Sequence, residues 1–255
     1  MFRVVIPARC ASARLPGKVL LPIGGRPMLH WVCERARASG AEQVVVATDD
    51  DRIRSCAEAA GVDCVMTASS HASGTDRIAE AVRTLRWAPA DVIVNLQADE
   101  PLMPPALLGQ VARLLQDHAD ADIATLAAPV TSRVEFLDPN AVKVVLADDG
   151  RALLFSRAPI PWDRDAAIDD LPGPQSHQHA LRHIGMYAYR VRSLLRLAQL
   201  PPAALELREK LEQLRALANG MQIRVAIAAL RPGLDVNTPA DLERIRALLE
   251  TPAEI

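Results

Sequence analysis

Arg9, Arg14 and Lys18 stand close together near the start of the chain, spaced by Ser12 and by Leu15-Pro16-Gly17. Residues 1–37 carry seven basic side chains and one acidic one, in a chain whose formal net charge is −2. Positive charge focused on a glycine-containing loop suits a polyphosphate, because arginine forks clamp phosphate oxygens and a lysine supplies a point charge. The loop is not a Walker A sequence, since Gly17-Lys18 is followed by Val19 and the upstream glycine is missing. A second candidate is Asp99 in the run Asn95-Leu96-Gln97-Ala98-Asp99-Glu100-Pro101. A carboxylate directly after a strand can ligate a hard cation such as Mg²⁺, or simply form a turn. His177, His179 and His183 do not make a zinc site, because the first two lie in a polar segment and no cysteine is near.

These residues need a scaffold, and the hydrophobic pattern supplies one. Residues 2–8 read as a buried strand, 9–25 as a long loop, 27–39 as a helix stopping at Gly40, and 43–48 as another strand. Asp49, Asp50 and Asp51 open a helix ending before Gly61, strands follow at 64–67, 92–96 and 123–128, and helices at 76–87 and 105–118 lie between them. Alternating strands and helices predict a mainly parallel sheet covered on both faces, with ligands beyond the carboxyl ends of the strands. The loops after Ala8, Thr48, Thr67 and Leu96 are therefore the ones expected to bind. Beyond residue 140 the rhythm changes. Strands at 142–146 and 152–155 flank the hairpin signal Asp149-Gly150, and 183–189 reads as a further strand. A helix over 205–218, with Leu207, Leu211 and Leu214 on its apolar face, a strand at 223–228 and a helix over 239–249 complete the chain. Residues 163–180 are acidic and rich in Pro and Gly, and read as a mobile segment.

Composition narrows the function classes. With 255 residues, half of them hydrophobic, the chain can bury a core without disulfides or a structural metal. The near-neutral charge argues against a nucleic-acid or membrane-surface protein, and three Phe, three Trp and two Tyr are too few for stacking platforms. A small-molecule partner is expected. The cysteines at 10, 33, 56 and 64 form no CxxC pair and read as small hydrophobes in a reducing compartment. No signal peptide opens the chain and no apolar run approaches about 18 residues, so a cytoplasmic protein is expected.

Four motifs taken together carry a resemblance: residues 5–20 (VIPARCASARLPGKVL), Ser73-Gly74-Thr75-Asp76-Arg77, Asn95 to Pro101 as above, and Glu212-Gln213-Leu214-Arg215. In this order and spacing, essentially end to end, the chain resembles the 3-deoxy-manno-octulosonate cytidylyltransferases. The resemblance implies a nucleotidyltransferase-type α/β sandwich with a smaller, partly antiparallel lobe, working as a homodimer on CTP and the sugar acid Kdo with Mg²⁺. It implies one domain over 1–255, with CTP bound by about 1–130, sugar binding and dimerisation in about 131–222, and a return to the main sheet over about 223–255. By the same resemblance Pro7, Ala8, Arg9, Ser12, Arg14, Lys18, Ser73, Gly74, Thr75, Arg77 and Gln97 contact the nucleotide, with Arg14, Lys18 and Asp99 catalytic. Ser73 or Thr75 could also be a helix N-cap. Arg157, His183, Tyr187, Glu212 and Gln213 match the sugar site. Asp99 and Asp235, with Asn237 assisting, match the metal site. Asp235 could instead cap the turn before the last helix. Three departures stand out: Ala98 where the family commonly has Gly, Cys10 where it often has an aromatic, and Asn237 where it usually has Asp. Another acidic 2-keto sugar, such as a sialic acid or amino-Kdo, and an impaired nucleotide-binding relative are the alternatives.

Overall fold

The computed structural model describes residues 1–10, 15–164 and 179–250. In chain order the strands are β1 (Arg3–Pro7), β2 (Pro22–Ile23), β3 (Arg26–Pro27), β4 (Gln43–Thr48), β5 (Asp63–Met66), β6 (Val92–Asn95), β7 (Ile123–Pro129), β8 (Lys143–Leu146), β9 (Ala152–Ser156), β10 (Leu181–Arg190) and β11 (Ile223–Ile227). The helices are α1 (Met28–Arg37), α2 (Asp51–Ala59), α3 (Gly74–Thr84), α4 (Pro105–Asp117), α5 (Arg133–Leu137), α6 (Val191–Gln199), α7 (Ala204–Glu209), α8 (Gln213–Ala218) and α9 (Pro239–Glu250).

The main sheet runs β11-β7-β10-β6-β1-β4-β5, with the β8–β9 hairpin attached to β10. β1, β4, β5 and β6 are parallel, as the alternation of strand and helix predicts. β1 explains the layering: Val4 and Ile6 pack on one face with Leu29 and Val32 of α1 and Leu107 of α4, whereas Val5 packs on the other with Ile78 of α3 and Leu194 of α6. No helix of the described residues is long and apolar enough to cross a membrane.

The second half departs from the simple reading in three places. β10 falls in the range read as the smaller lobe, yet it lies inside the main sheet, antiparallel to both β6 and β7. Helices α5 and α6 were not anticipated; Ser132 starts α5 by accepting from the Glu135 amide. The helix expected over 205–218 is two helices, because Lys210 turns into the left-handed region at φ 54. There Arg157 Nε donates to the Glu209 carbonyl at 2.7 Å, taking it out of the helical ladder. Leu211 and Leu214 stay buried, but the break leaves Leu207 exposed rather than on a common apolar face. The expected mobile segment over 163–180 lies mostly outside the described residues.

Glu206 and Arg215 hold α7 against α8. Glu206 is 9% exposed, takes bonds of 2.9 and 2.5 Å from Arg215, and accepts from the Ala203 amide. Chiefly through Arg215, its pKa is pushed below the ordinary glutamate value of 4.5. A depressed folded value means that the pair stabilises the fold fully above about pH 4.5 and loses that contribution as pH falls through the lowered value. Glu206→Gln is expected to cost about 2 kcal/mol in urea unfolding at pH 7. The gap between wild type and variant should shrink when the measurement is repeated at pH 3.

Candidate active site

Gly17 shapes the first loop. It adopts φ +66, which favours glycine, and its amide donates to the Cys10 carbonyl at 2.9 Å, closing the loop on itself. The chain then makes a 3₁₀ turn over Lys18–Leu20 with Val19 buried, which aims Lys18 at the end of β6. Lys18 Nζ donates to Asp99 Oδ2 at 2.5 Å and to the Val236 carbonyl at 3.0 Å. Two distant segments thus meet on one ammonium. Pro7 and Ala8 are buried at the end of β1, and Pro7 packs on Gly74, where a Cβ would stand 3.5 Å from Pro7 Cγ. Arg9 is exposed beside them; Ser12 and Arg14 lie outside the described residues. Cys10 is a free thiol to which Arg52 donates at 2.9 Å, and burial raises its pKa, so it is no reactive thiolate.

An outer cavity of about 390 Å³ opens beyond Lys18, lined by Gln97, Asp99 and Glu100 after β6, by Arg182 to Gly185 of β10, and by the loop carrying Gly233, Asp235 and Asn237. That loop is pinned from two sides: the Val236 amide donates to the Asp99 carbonyl at 2.9 Å, and Gly233 sits so close to Leu102 that a Cβ would be 2.3 Å from its carbonyl oxygen. Thr238 and Asp241 form the reciprocal cap of α9, so Asp235 is not the capping residue. Asp235 instead accepts from the Asn237 amide nitrogen. Glu100 is pushed up to about 8 by burial and by the nearby charges of Asp99 and Asp235, and its Oε2 is buried without a partner. Among the described residues no group of three His, Cys, Asp or Glu side chains encloses an ion by itself. Asp99 and Asp235 are the carboxylates that could share one with an anionic ligand.

His183 lines this cavity from β10. Thr125 Oγ1 donates to the carbonyls of Ile184 at 3.0 Å and Met186 at 2.7 Å, where the strand register jumps, so it receives the His183 Nε2 proton at 2.9 Å. Burial, then Arg182, pushes His183 down to about 3, which keeps it neutral. The rings of Phe155, His183, Tyr187 and Tyr189 form a row with centroid spacings of 4.9, 5.2 and 5.7 Å, leading inward.

The row ends at an inner cavity of about 200 Å³ that shares Gln97 with the outer one. Its walls are Gly74, Thr75, Asn95, Tyr187, Tyr189, Glu212 and Gln213. Residues expected to touch the nucleotide and residues expected to touch the sugar therefore meet in one place. Thr75 Oγ1 donates to Glu212, so Glu212 is not a solvent-facing helix charge. Burial drives both tyrosine hydroxyls well above their ordinary value, leaving them protonated donors.

Pro7, Ala8, Arg9 and Lys18 stand beside the two cavities without lining them, and three further expected site residues line neither. Ser73 is the N-cap of α3, accepting from the Asp76 amide in a capping box. Arg77 is buried, donating to Thr67 at 2.6 Å and pairing with Asp49 at 3.2 Å. Arg157 gives its guanidinium to the carbonyls of Glu209 and Pro139, tying β9 to α7 and to the loop at 138–141. Conversely Asn95, Glu100, Gly233 and Tyr189 line or shape the site without having been singled out. The signal for the first two was present, since a polar residue closing the apolar run Val92-Ile93-Val94 and a second acid beside Asp99 are both unusual at a sheet's binding edge. Ala98, buried, is not among the residues with positive φ, so its Cβ brings no backbone strain.

The cytidylyltransferase family matches residues 3–223 of the chain. The chain is 52% identical over 248 residues to the 3-deoxy-manno-octulosonate cytidylyltransferase of Thioalkalivibrio sulfidiphilus, covering 97% of this chain and 98% of that one. It is 52% identical over 250 residues to the enzyme of the same name from Cellvibrio japonicus, covering 98% of each. Among solved structures it superposes on a CMP:2-keto-3-deoxy-manno-octonic acid synthetase complexed with CTP, with a TM-score of 0.87, 40% identity and coverage of 98% of this chain and 99% of that one.

The close approach of Gly233 to Leu102 gives a direct test of how Asp235 is placed. A methyl group at 233 meets backbone, so the loop must move and carry Asp235 away from Asp99. Gly233→Ala is expected to keep the thermal unfolding midpoint within a few degrees and to lower turnover by about tenfold or more. Circular dichroism melts and steady-state rates measure the two effects.

Proposed function

Because the chain belongs to the cytidylyltransferase family, we propose that it transfers CMP from CTP to the anomeric hydroxyl of 3-deoxy-D-manno-octulosonate, giving CMP-Kdo and pyrophosphate. The observation that carries this reading is the meeting of Lys18 with Asp99 at 2.5 Å, between the glycine loop and the end of β6. A phosphate cation and a metal-type carboxylate at one point are what nucleotidyl transfer needs, since that reaction asks for positioning and charge stabilisation rather than a protein nucleophile. In the reaction the anomeric oxygen bonds to the α-phosphorus, the bond from that phosphorus to the bridging oxygen breaks, and pyrophosphate leaves with the electron pair. The hydroxyl proton passes to water.

Each part of the chain has a task in that step. Lys18, with Arg9 and the loop residue Arg14, neutralises the triphosphate and the departing pyrophosphate, to which the Ser12 hydroxyl can donate a hydrogen bond. Pro7, Ala8 and Gly74 form a close-packed wall against which a nucleoside can rest. Tyr187, Glu212, Gln213 and neutral His183 offer donors and acceptors to the sugar acid. Asp99 and Asp235, with the Asn237 oxygen, form a hard-oxygen set that suits Mg²⁺ shared with phosphates, and Glu100 is kept protonated by burial first and by the charges of these two aspartates next. Mg²⁺ bound there would supply charge neutralisation at the phosphates. The product serves lipopolysaccharide assembly, in the cytoplasm.

The active form is a homodimer. β9 pairs with β8 alone among the named strands, and Leu153 and Leu154 on it are 57% and 38% exposed. Leu205 and Leu207 of α7, tied to β9 through Glu209, are about half exposed as well. An open strand edge beside apolar side chains favours pairing with a second copy.

Pyrophosphate release is expected only when CTP, Mg²⁺ and Kdo are all present, and equal rates with ATP would overturn the cytosine assignment. Lys18→Ala should lower kcat by about 10²-fold or more with the fold intact by circular dichroism, as for other electrostatic donors. For assembly, light scattering should give twice the chain mass for the wild type and a shift toward single chains for Leu154→Glu combined with Leu207→Glu. A wild-type monomer at micromolar concentration would end the dimer reading.

A further inference from the structure

Asn95 closes β6, in register with Val5 of β1 and Tyr187 of β10, and is 3% exposed. The rest of the strand is Val92-Ile93-Val94, as expected where a sheet is covered on both faces. A carboxamide at such a position is costly unless both of its ends are engaged. Its Oδ1 is buried without a hydrogen-bond partner, although Asn95 lines the inner cavity. The cavity walls do not meet the need: the Thr75 hydroxyl is already donated to Glu212.

We propose that Asn95 determines acceptor specificity, its side-chain oxygen accepting a hydrogen bond from one hydroxyl of a polyhydroxylated sugar acid bound in the inner cavity. The inference rests on the sugar-acid reading of the second substrate given above. The composition of the cavity selects that class of ligand. No Lys or Arg lines it and the Glu212 carboxylate does, so it suits the hydroxyl-bearing part of a sugar acid rather than a phosphate or the carboxylate end. The protonated Tyr187 hydroxyl and the Gln213 amide are donors, whereas Glu212 and Asn95 Oδ1 are acceptors, a mixture matched by a chain of hydroxyl groups that donate and accept in turn. A pocket built to receive a hydroxyl rejects the analogue lacking it, because its own polar atom is then left unpaired.

The test uses the full-length enzyme with CTP, Kdo and a series of Kdo analogues each lacking one hydroxyl. Wild-type turnover of Kdo checks the reading on which the inference rests. With that in hand, Asn95→Ala should raise the KM for Kdo by about tenfold or more and leave the KM for CTP within about twofold. One deoxy analogue, rejected by the wild type relative to Kdo, should be rejected no further by the variant. Asn95→Ser, which keeps a small polar group on the strand but sets its oxygen one bond nearer the backbone and so out of reach of the hydroxyl, is read in the same way should the alanine variant fail to fold by circular dichroism. If the variants discriminate among the analogues as the wild type does, or if the KM for CTP rises together with that for Kdo, the inference is overturned while the assigned reaction stands.

Discussion

Negative charge is concentrated where β6 ends, and the rest of the site is arranged around it. Asp99, Glu100 and Asp235 come near enough that Glu100 is held protonated to about pH 8, by burial first and by its two neighbours next. Such crowding persists only if a cation is kept close. Lys18 fills that need within the chain itself, bridging Asp99 and the carbonyl of Val236. The long first loop, the end of β6 and the segment before α9 are remote in sequence, and this one ammonium joins all three. In the proposed reaction a triphosphate would compete with Asp99 for Lys18, and the freed carboxylate would then be available to a divalent ion, which would couple nucleotide and metal binding through the same contact.

The antiparallel insertion of β10 is the second constraint. A purely parallel sheet would present only loops at this edge, whereas β10 runs the other way and lays side chains along the sheet from the outer cavity to the inner one. The register jump after Ile184, held by Thr125, leaves His183 lining the outer cavity with the carboxylates and Tyr187 lining the inner one with Glu212. Gln97, at the edge of both cavities, is the junction between them. The proposed two-substrate reaction needs such a junction, which would put the phosphates on one side and the sugar hydroxyls on the other.

Much of this was legible in the sequence, for stated reasons. β4 falls on residues 43–48 as read, because Gln43-Val44-Val45-Val46-Ala47-Thr48 is a short apolar run between turn signals, and the Asp149-Gly150 hairpin forms with Gly150 at φ 83. Lys18 and Asp99 were both singled out, from charge on a loop and from a carboxylate after a strand. What the sequence hid depends on tertiary contacts. The break at Lys210 follows from Arg157 capturing a carbonyl 52 residues away in the chain, which no helical periodicity can register. Arg157 was expected on the sugar by resemblance, but its guanidinium is engaged with backbone carbonyls outside the cavities. Ser73 shows a different limit: a small hydroxyl before a helix serves equally as cap or ligand contact, and here the cap geometry is realised.

The Asn237 substitution, which looked like the loss of a metal ligand, has a different meaning in the folded loop. Its side-chain amide donates to the carboxylate of Asp235, and its backbone amide donates to Asp241 at the start of α9. A carboxylate at 237 would replace that donated hydrogen bond with a second negative charge beside Asp235, in a cavity where Glu100 is already forced to keep its proton. The amide therefore orients Asp235 and spares the site a fourth acid. Since Val236 between them is fully buried and donates to the Asp99 carbonyl, the loop cannot rotate Asp235 away without losing that bond and the packing of Val236 against Met28 and Ile245. Position 237 thus shifts from carrying charge to fixing the direction of the charge two residues earlier.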